Sequence, residues 1–415
     1  MVHVEPMNEE LKRLRTESFL HDGRIPITLK GQPLDLDLYE TSEVLTNKHF
    51  KDFEMCEFER FYLPESMRPF TDLVPTGTKA LIADDNRGAV STLPCLELDG
   101  IDFYLSVKGI GSTTNPFSQQ RLGVAEICSL LKDTILKDRL VNSEEKAPRY
   151  ITGELWLRGS PYGGQGLEHA TTSMGVSEIA DLTSIHGFRI APVVKVAFLP
   201  EDLEIKIKEI YWYRKFAGKI VQETRLVPSN VRVYFHSGST IGGNISAIYR
   251  LFEIDENEKA LGFLKNFVKS GIAFLTLFIR SMRSNEDGTF SGLDFYDVWL
   301  DKDAVLAPDG TIYFVDLEGL EWINVPENKV QEKIDDQIYR SLYEFMYAYE
   351  QIEHERSRRF GHQIDRKTQF EYLLIEALKD DDVVKVARDG DRLQLVLGNI
   401  LGEKRLTKTF PIIDW

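Results

Sequence analysis

Cysteine is scarce, with only Cys56, Cys95 and Cys128 in 415 residues. An odd number without CxxC spacing argues against a disulfide framework or a structural zinc site, and it leads us to expect a reducing compartment. Long apolar runs are missing as well. The most apolar stretch, Gly271 to Ile279, is too short to span a bilayer and has Lys265, Lys269 and Arg280 beside it. Met1 to Arg15 mixes acidic and basic residues around no apolar core, which excludes a secretory signal there, so a cytoplasmic location is expected. Positive charge is in deficit, since 50 Lys and Arg against 66 Asp and Glu leave a formal charge of −16. Neither nucleic acid nor an anionic membrane is therefore expected as a partner.

What is present suits a folded globular chain, because 42% hydrophobic and 11% aromatic residues suffice for a large core. Residues 1–77 alternate polar and apolar segments and read as an irregular or partly helical extension. Between Thr78 and Gly109, KALIADD, STLPCLEL and IDFYLSVKG are β-prone runs separated by turn residues. Asp99-Gly100 predicts a hairpin, so three successive antiparallel strands are expected. Residues 119–147 have helical periodicity and many charges. A helix over about 166–186 is followed by the apolar run APVVKVAFL. Beyond about residue 245 the pattern turns helical, with apolar residues three and four apart through ALGFLKNFVKSGIAFLTLFIRSMRS. DVWLD and TIYFVDLEG read as two short strands joined at Pro308-Asp309-Gly310, and about 329–380 is helical again.

An antiparallel sheet with one helix, followed by a helical half that contains a hairpin ending in an acidic residue, is the order of a bilobal protein-kinase-like fold. The expected class is thus α+β, with an antiparallel-sheet N-lobe and a mainly helical C-lobe. The N-lobe would cover 78–235, with an insertion at about 120–165, and the C-lobe with its C-terminal extension 236–415.

In that layout Lys108, at the end of FYLSVK, would reach nucleotide phosphates, and Glu178 in MGVSEIADL would pair with it. Asp316 ends an apolar strand, where such a fold holds Mg²⁺ through carboxylate oxygen. Upstream, SGLDFYDVWLD offers Asp294, Asp297 and Asp301; Asp297 is the choice for a second metal or a proton-accepting role, the others reading as surface charges. Arg225 and Arg232, seven residues apart around Pro228-Ser229, would grip phosphate oxygens bidentately if delivered to one place. Taken singly, each of these residues reads as readily as an ordinary surface charge.

Four segments carry a resemblance. VKGIGSTTNPFS (Val107 to Ser118), GVSEIADLTSIHGFRI (Gly175 to Ile190), RLVPSNVR (Arg225 to Arg232), and SGLDFYDVW with the later VDLEG resemble the selenoprotein-O family over about residues 80–320. Its members are pseudokinase-fold enzymes that bind ATP in an inverted orientation and transfer AMP to protein hydroxyls. The resemblance implies ATP with Mg²⁺ or Mn²⁺ and a protein acceptor. It puts Lys108, Glu178, Arg225 and Arg232 at the nucleotide, and makes Asp297 catalytic and, with Asp316, metal-binding. The chain departs from the family pattern in several places. About 70 residues separate Lys108 from Glu178, the family's catalytic-loop histidine appears as Ser291, and its metal-binding asparagine as Val298. Glu318 of Asp-Leu-Glu-Gly would replace that ligand, and no selenocysteine-like C-terminal cysteine is present, the chain ending TFPIIDW. The alternatives to AMP transfer are γ-phosphoryl transfer and a catalytically inactive nucleotide-binding scaffold.

Overall fold

The computed structural model describes residues 33–34, 36–40, 43–51, 60–64, 81–83, 88–108, 165–202, 204–205, 218–229, 231, 233, 245–295, 300–361, 366–389, 392–401 and 404–411. The predicted insertion at about 120–165 falls almost wholly outside these residues. The chain divides into two units, residues 1–182 with 191–230 and residues 183–190 with 231–415.

In chain order the elements begin with β1 (Pro33–Leu34), β2 (Leu36–Glu40), β3 (Glu43–Thr46), β4 (Arg60–Pro64), β5 (Leu81–Ala83), β6 (Gly88–Leu98), β7 (Ile101–Lys108) and β8 (Gln165–Gly166). Helix α1 (Leu167–Ile179), β9 (Ser184–Ile185), β10 (Phe188–Arg189), β11 (Val193–Phe198) and β12 (Ile220–Val227) follow. Except for β9 and β10 these belong to the first unit. Its antiparallel sheet runs β1-β5-β6-β7-β12-β11-β3, with β8 also on β12. The expected strands β5, β6 and β7 are indeed successive neighbours. Asp99 and Gly100 turn the β6–β7 hairpin with φ of 52° and 77°, the two positive values that a two-residue turn matched to strand twist demands.

Helix α1 covers one face of this sheet, where Ala170 and Met174 pack on Val193, Val196 and Val221. Ser177 sits at the same contact, its Oγ donating to Ser173 O and accepting the Val193 N–H at 2.9 Å. The reading of residues 1–77 as irregular or part-helical is corrected here. Strand β3 pairs with β11, and buried Asn47 locks the join by donating its Nδ2 to Val193 O at 2.8 Å. A run as short as EVLT has no period to read, and it becomes a strand only because a partner lies about 150 residues away.

The second unit continues with α2 (Ile245–Leu251), α3 (Asn257–Leu275), α4 (Leu277–Ser281), β13 (Arg283–Ser284), β14 (Thr289–Phe295), α5 (Leu300–Asp303), β15 (Ala304–Leu306), β16 (Ile312–Phe314) and β17 (Leu320–Pro326). It ends with the long α6 (Val330–Phe360), α7 (Arg366–Leu378) and an antiparallel meander of β18 (Val384–Asp389), β19 (Arg392–Leu401) and β20 (Lys404–Pro411). Phe274 of α3 lies 4.2 Å from Phe295 and 4.3 Å from Phe314 between ring centroids, and Phe188 of β10 stacks on Phe314 at 4.8 Å. Such pairs add about 0.5–1.5 kcal/mol each beyond their area burial.

The single helix expected through SMRS is broken at Thr276 (φ −112°), whose hydroxyl donates back to Ile272 O at 2.6 Å and accepts from Arg280 Nε at 2.7 Å. Of DVWLD only Leu300 and Asp301 are among the described residues, and they lie in the helical turn Leu300–Asp303 and not in the expected strand; the hairpin strand is Ala304–Leu306, paired with β16. Its turn is the predicted one. Gly310 has φ 93°, and a Cβ there would strike the Phe263 main chain. Among the described residues no helix is long and apolar enough to cross a membrane.

Candidate functional site

Strand β12, IVQETRLV, is the least expected piece of the first unit, because all eight residues are buried although its middle four are polar. Both of its edges are paired, to β7 and to β11, so its side chains have nowhere to go but the two sheet faces. Residues 221, 223 and 225 share one face, and Val221 places that face under α1. Across β7 the register sets Lys108 opposite Glu223 and Ser106 opposite Arg225. Lys108, Glu223 and Arg225 therefore share one face of the sheet. Glu223 and Arg225 form an ion pair through Oε1 and Nη2, with 0% and 3% of their surfaces exposed. Such burial costs several kcal/mol of desolvation per ion, which an apolar strand would avoid. Two residues before Ser106 on the same strand, Tyr104 has its phenol pushed up to about 12 by burial and by the charge of Asp102.

The expected partner of Lys108 is elsewhere. Glu178 lies in the last turn of α1, where Ser177 holds the inward position. At 100° per residue Glu178 projects sideways, and its Oε1 accepts the Lys48 N–H at 3.0 Å while its carbonyl bonds His49 Nε2 at 3.1 Å. Glu178 thus fastens the segment after β3 to the end of the helix. The structure does not bring it into an ion pair with Lys108.

In the second unit, buried Ile312–Val315 leads to Asp316, half-buried at the N-cap of a 3₁₀ turn Leu317–Gly319 that also carries Glu318. Two carboxylates two residues apart in one turn offer oxygens of the kind that Mg²⁺ takes. Asp297 and Arg232 lie outside the described residues, as does the side chain of Asp301. Among the described residues no group of three or more His, Cys, Asp or Glu could hold a metal ion. Asp294 is not the surface charge expected. It is 4% exposed on β14, its Oδ2 accepts from Lys333 Nζ at 2.5 Å, and its Oδ1 is buried without a hydrogen bond.

Sequence reasoning passed over Glu223 and Lys333. Glu223 had a readable signal, a Gln-Glu-Thr-Arg stretch flanked on both sides by apolar β-prone residues. Lys333 had none, because its partner is set by the docking of α6 on β14. No protein-family model matches this chain, and comparison with curated proteins and with solved structures finds no match either.

Proposed function

We propose that the chain is an ATP- and metal-dependent transferase of bilobal kinase-like fold that moves AMP onto protein hydroxyl groups. The observation that carries this reading is the buried face of Lys108, Glu223 and Arg225. A sheet that buries an ion pair beside a strand lysine bears a desolvation cost that an apolar sheet would not, and a polyphosphate ligand is the role that accounts for it. The division into a sheet-rich unit and a unit with the long helices supports the kinase-like fold, and the RLVPSNVR segment favours AMP over phosphate transfer.

In the reaction proposed, an acceptor hydroxyl oxygen forms a bond to the α-phosphorus of ATP, and the bond from that phosphorus to the bridging oxygen of the β-phosphate breaks. Pyrophosphate leaves, and the hydroxyl proton passes to the Asp297 carboxylate. Lys108 and Arg225 neutralise phosphate charge in place, with Glu223 setting the position of the arginine. Asp316 and Glu318, with Asp297, are the groups that would hold Mg²⁺ or Mn²⁺, which supplies further neutralisation of the phosphate oxygens.

Parallel incubations with α- and γ-labelled ATP, with each metal and a mixture of protein acceptors, test the reading. Retention of the α-label alone on protein is expected, and retention of the γ-label alone would replace AMP transfer by an ordinary kinase reaction. A nucleotide-binding scaffold without transfer is the second reading, favoured by the engagement of Glu178 with the Lys48 main chain. It predicts a higher Tm with ATP and no labelled product.

A further inference from the structure

The second unit carries another cationic cluster, made of residues that the proposed reaction does not use. Strands β9 and β10 are joined by His186 and Gly187, with φ of 50° and 84°. A histidine in the left-handed region is uncommon, and here it puts the imidazole at the exposed tip of the hairpin. Arg280, from the end of α4, comes up against this turn, so that a Cβ on Gly187 would lie 3.7 Å from its Nη1.

Arg280 is held rigidly. Its side chain is 7% exposed, Nε donates to Thr276 Oγ1 at 2.7 Å and Nη2 to Asp381 Oδ2 at 2.6 Å. Among the described residues nothing accepts a hydrogen bond from the Nη1 that faces the turn. Three residues further on, exposed Arg283 lies 5.3 Å over the ring of Trp322 and has no carboxylate partner among the described residues. Burial, then the charges of Arg283 and Arg280, hold the His186 imidazole below its ordinary pKa. Among the described residues the carboxylate that pairs with this group of cations is Asp381, and it pairs with Arg280.

The geometry points to a binding site for a phosphoryl anion at the His186–Gly187 turn, with Arg280 Nη1, the Arg283 guanidinium and the His186 ring as its donors. A guanidinium fixed on two sides presents its remaining N–H groups at no further ordering cost, and two guanidiniums match a tetrahedral dianion. Glycine at 187 leaves the approach to Nη1 open, and Trp322 keeps Arg283 extended over its ring. The anion is either free phosphate or a phosphorylated side chain of another protein, since both present the same oxygens.

The test follows the His186 ring resonances of the full chain by NMR, assigned with a His186→Asn variant, during titration with inorganic phosphate and, separately, with chloride at matched ionic strength. Phosphate is expected to shift them saturably and to raise the imidazole pKa. Arg283→Gln, an exposed change that leaves Tm unaltered, should weaken phosphate at least fivefold, while Lys108→Ala should leave the His186 response intact. A phosphoserine peptide that binds more tightly than phosphate would assign the site to a protein partner, and equal affinity to the free anion. Shifts that chloride reproduces, or that Arg283→Gln does not weaken, would overturn the site.

Discussion

Each unit buries a glutamate and an arginine as a pair, but the two pairs have different surroundings. In the second unit Glu353 and Arg356 are each 1% exposed on α6, one turn apart, and Arg356 grips the carboxylate through Nε and Nη2, both at 2.7 Å. Arg356 Nη1 reaches Asn257 at the start of α3, also at 2.7 Å, and Ser357 Oγ donates to Glu353. Charge is balanced within the pair and each guanidinium nitrogen has an acceptor, so this pair is a strut between two helices. In the first unit Glu223 and Arg225 lie on a strand with Lys108 in register opposite Glu223, so a third charge enters from the neighbouring strand. A strand separates same-face neighbours by about two residues of rise and brings a third charge in from the next strand, which a helix turn does not. Helical pairing stays within one element and its neighbour, whereas pairing on the sheet joins charges from two strands.

Breaking the strut gives the largest expected effect. Arg356→Met leaves Glu353 charged and buried, and urea denaturation should register a loss of about 3–5 kcal/mol. The sheet pair should behave in the opposite way. Glu223→Leu with Arg225→Met is expected to be neutral or stabilising by about 1–4 kcal/mol in the same assay, and any rise in Tm on adding ATP to the unaltered chain should be absent from this variant. A large destabilisation of that double variant would make both pairs struts and remove the ground for a phosphate site. Lys108→Ala removes one charge-assisted contact, about 1.5–3 kcal/mol, and calorimetric titration should find ATP binding some tenfold to a hundredfold weaker at unchanged fold. Smaller still is Glu178→Gln. The amide oxygen still accepts from the Lys48 N–H, so stability should move by less than about 1 kcal/mol and ATP affinity hardly at all; a large loss of affinity would restore Glu178 as the partner of Lys108.

A pH-dependent effect is expected from the Arg280–Asp381 pair, whose side chains are 7% and 12% exposed. Burial works against the Asp381 carboxylate, but Arg280 and the N–H groups of Val384 and Val383 outweigh it and hold its pKa below the ordinary carboxylate value. A lowered pKa contributes stability that is fully present above the unfolded value and is lost as pH falls through the folded one. Asp381→Asn should therefore flatten acid unfolding in that range and change nothing at neutral pH beyond a constant offset.

How much could be read in advance varied with the range of the interaction. Asp99-Gly100 and Pro308-Asp309-Gly310 announced their turns because the chain needs positive φ there, and the apolar spacing of 257–275 announced α3. Thr276 was invisible as a break, since its effect depends on a hydroxyl satisfying Ile272 and on Arg280 returning to it. Glu178 was assigned by its place in a helix, but the assignment turned on a rotation of one residue, which put Ser177 inward and Glu178 beside Lys48.

The sequence by itself determined that this chain folds as a mixture of helices and antiparallel strands, where its tight turns lie, and that Lys108 ends a β-prone run. Those are properties of local period and of backbone dihedrals. Only the tertiary structure decided that Glu223 faces Lys108, that Asp294 is buried on Lys333, that Glu178 serves the main chain, and that Arg280 meets the His186 turn. Strand register and helix docking select partners from anywhere in the chain, and a one-residue slip reverses every face, so no local pattern carries that information.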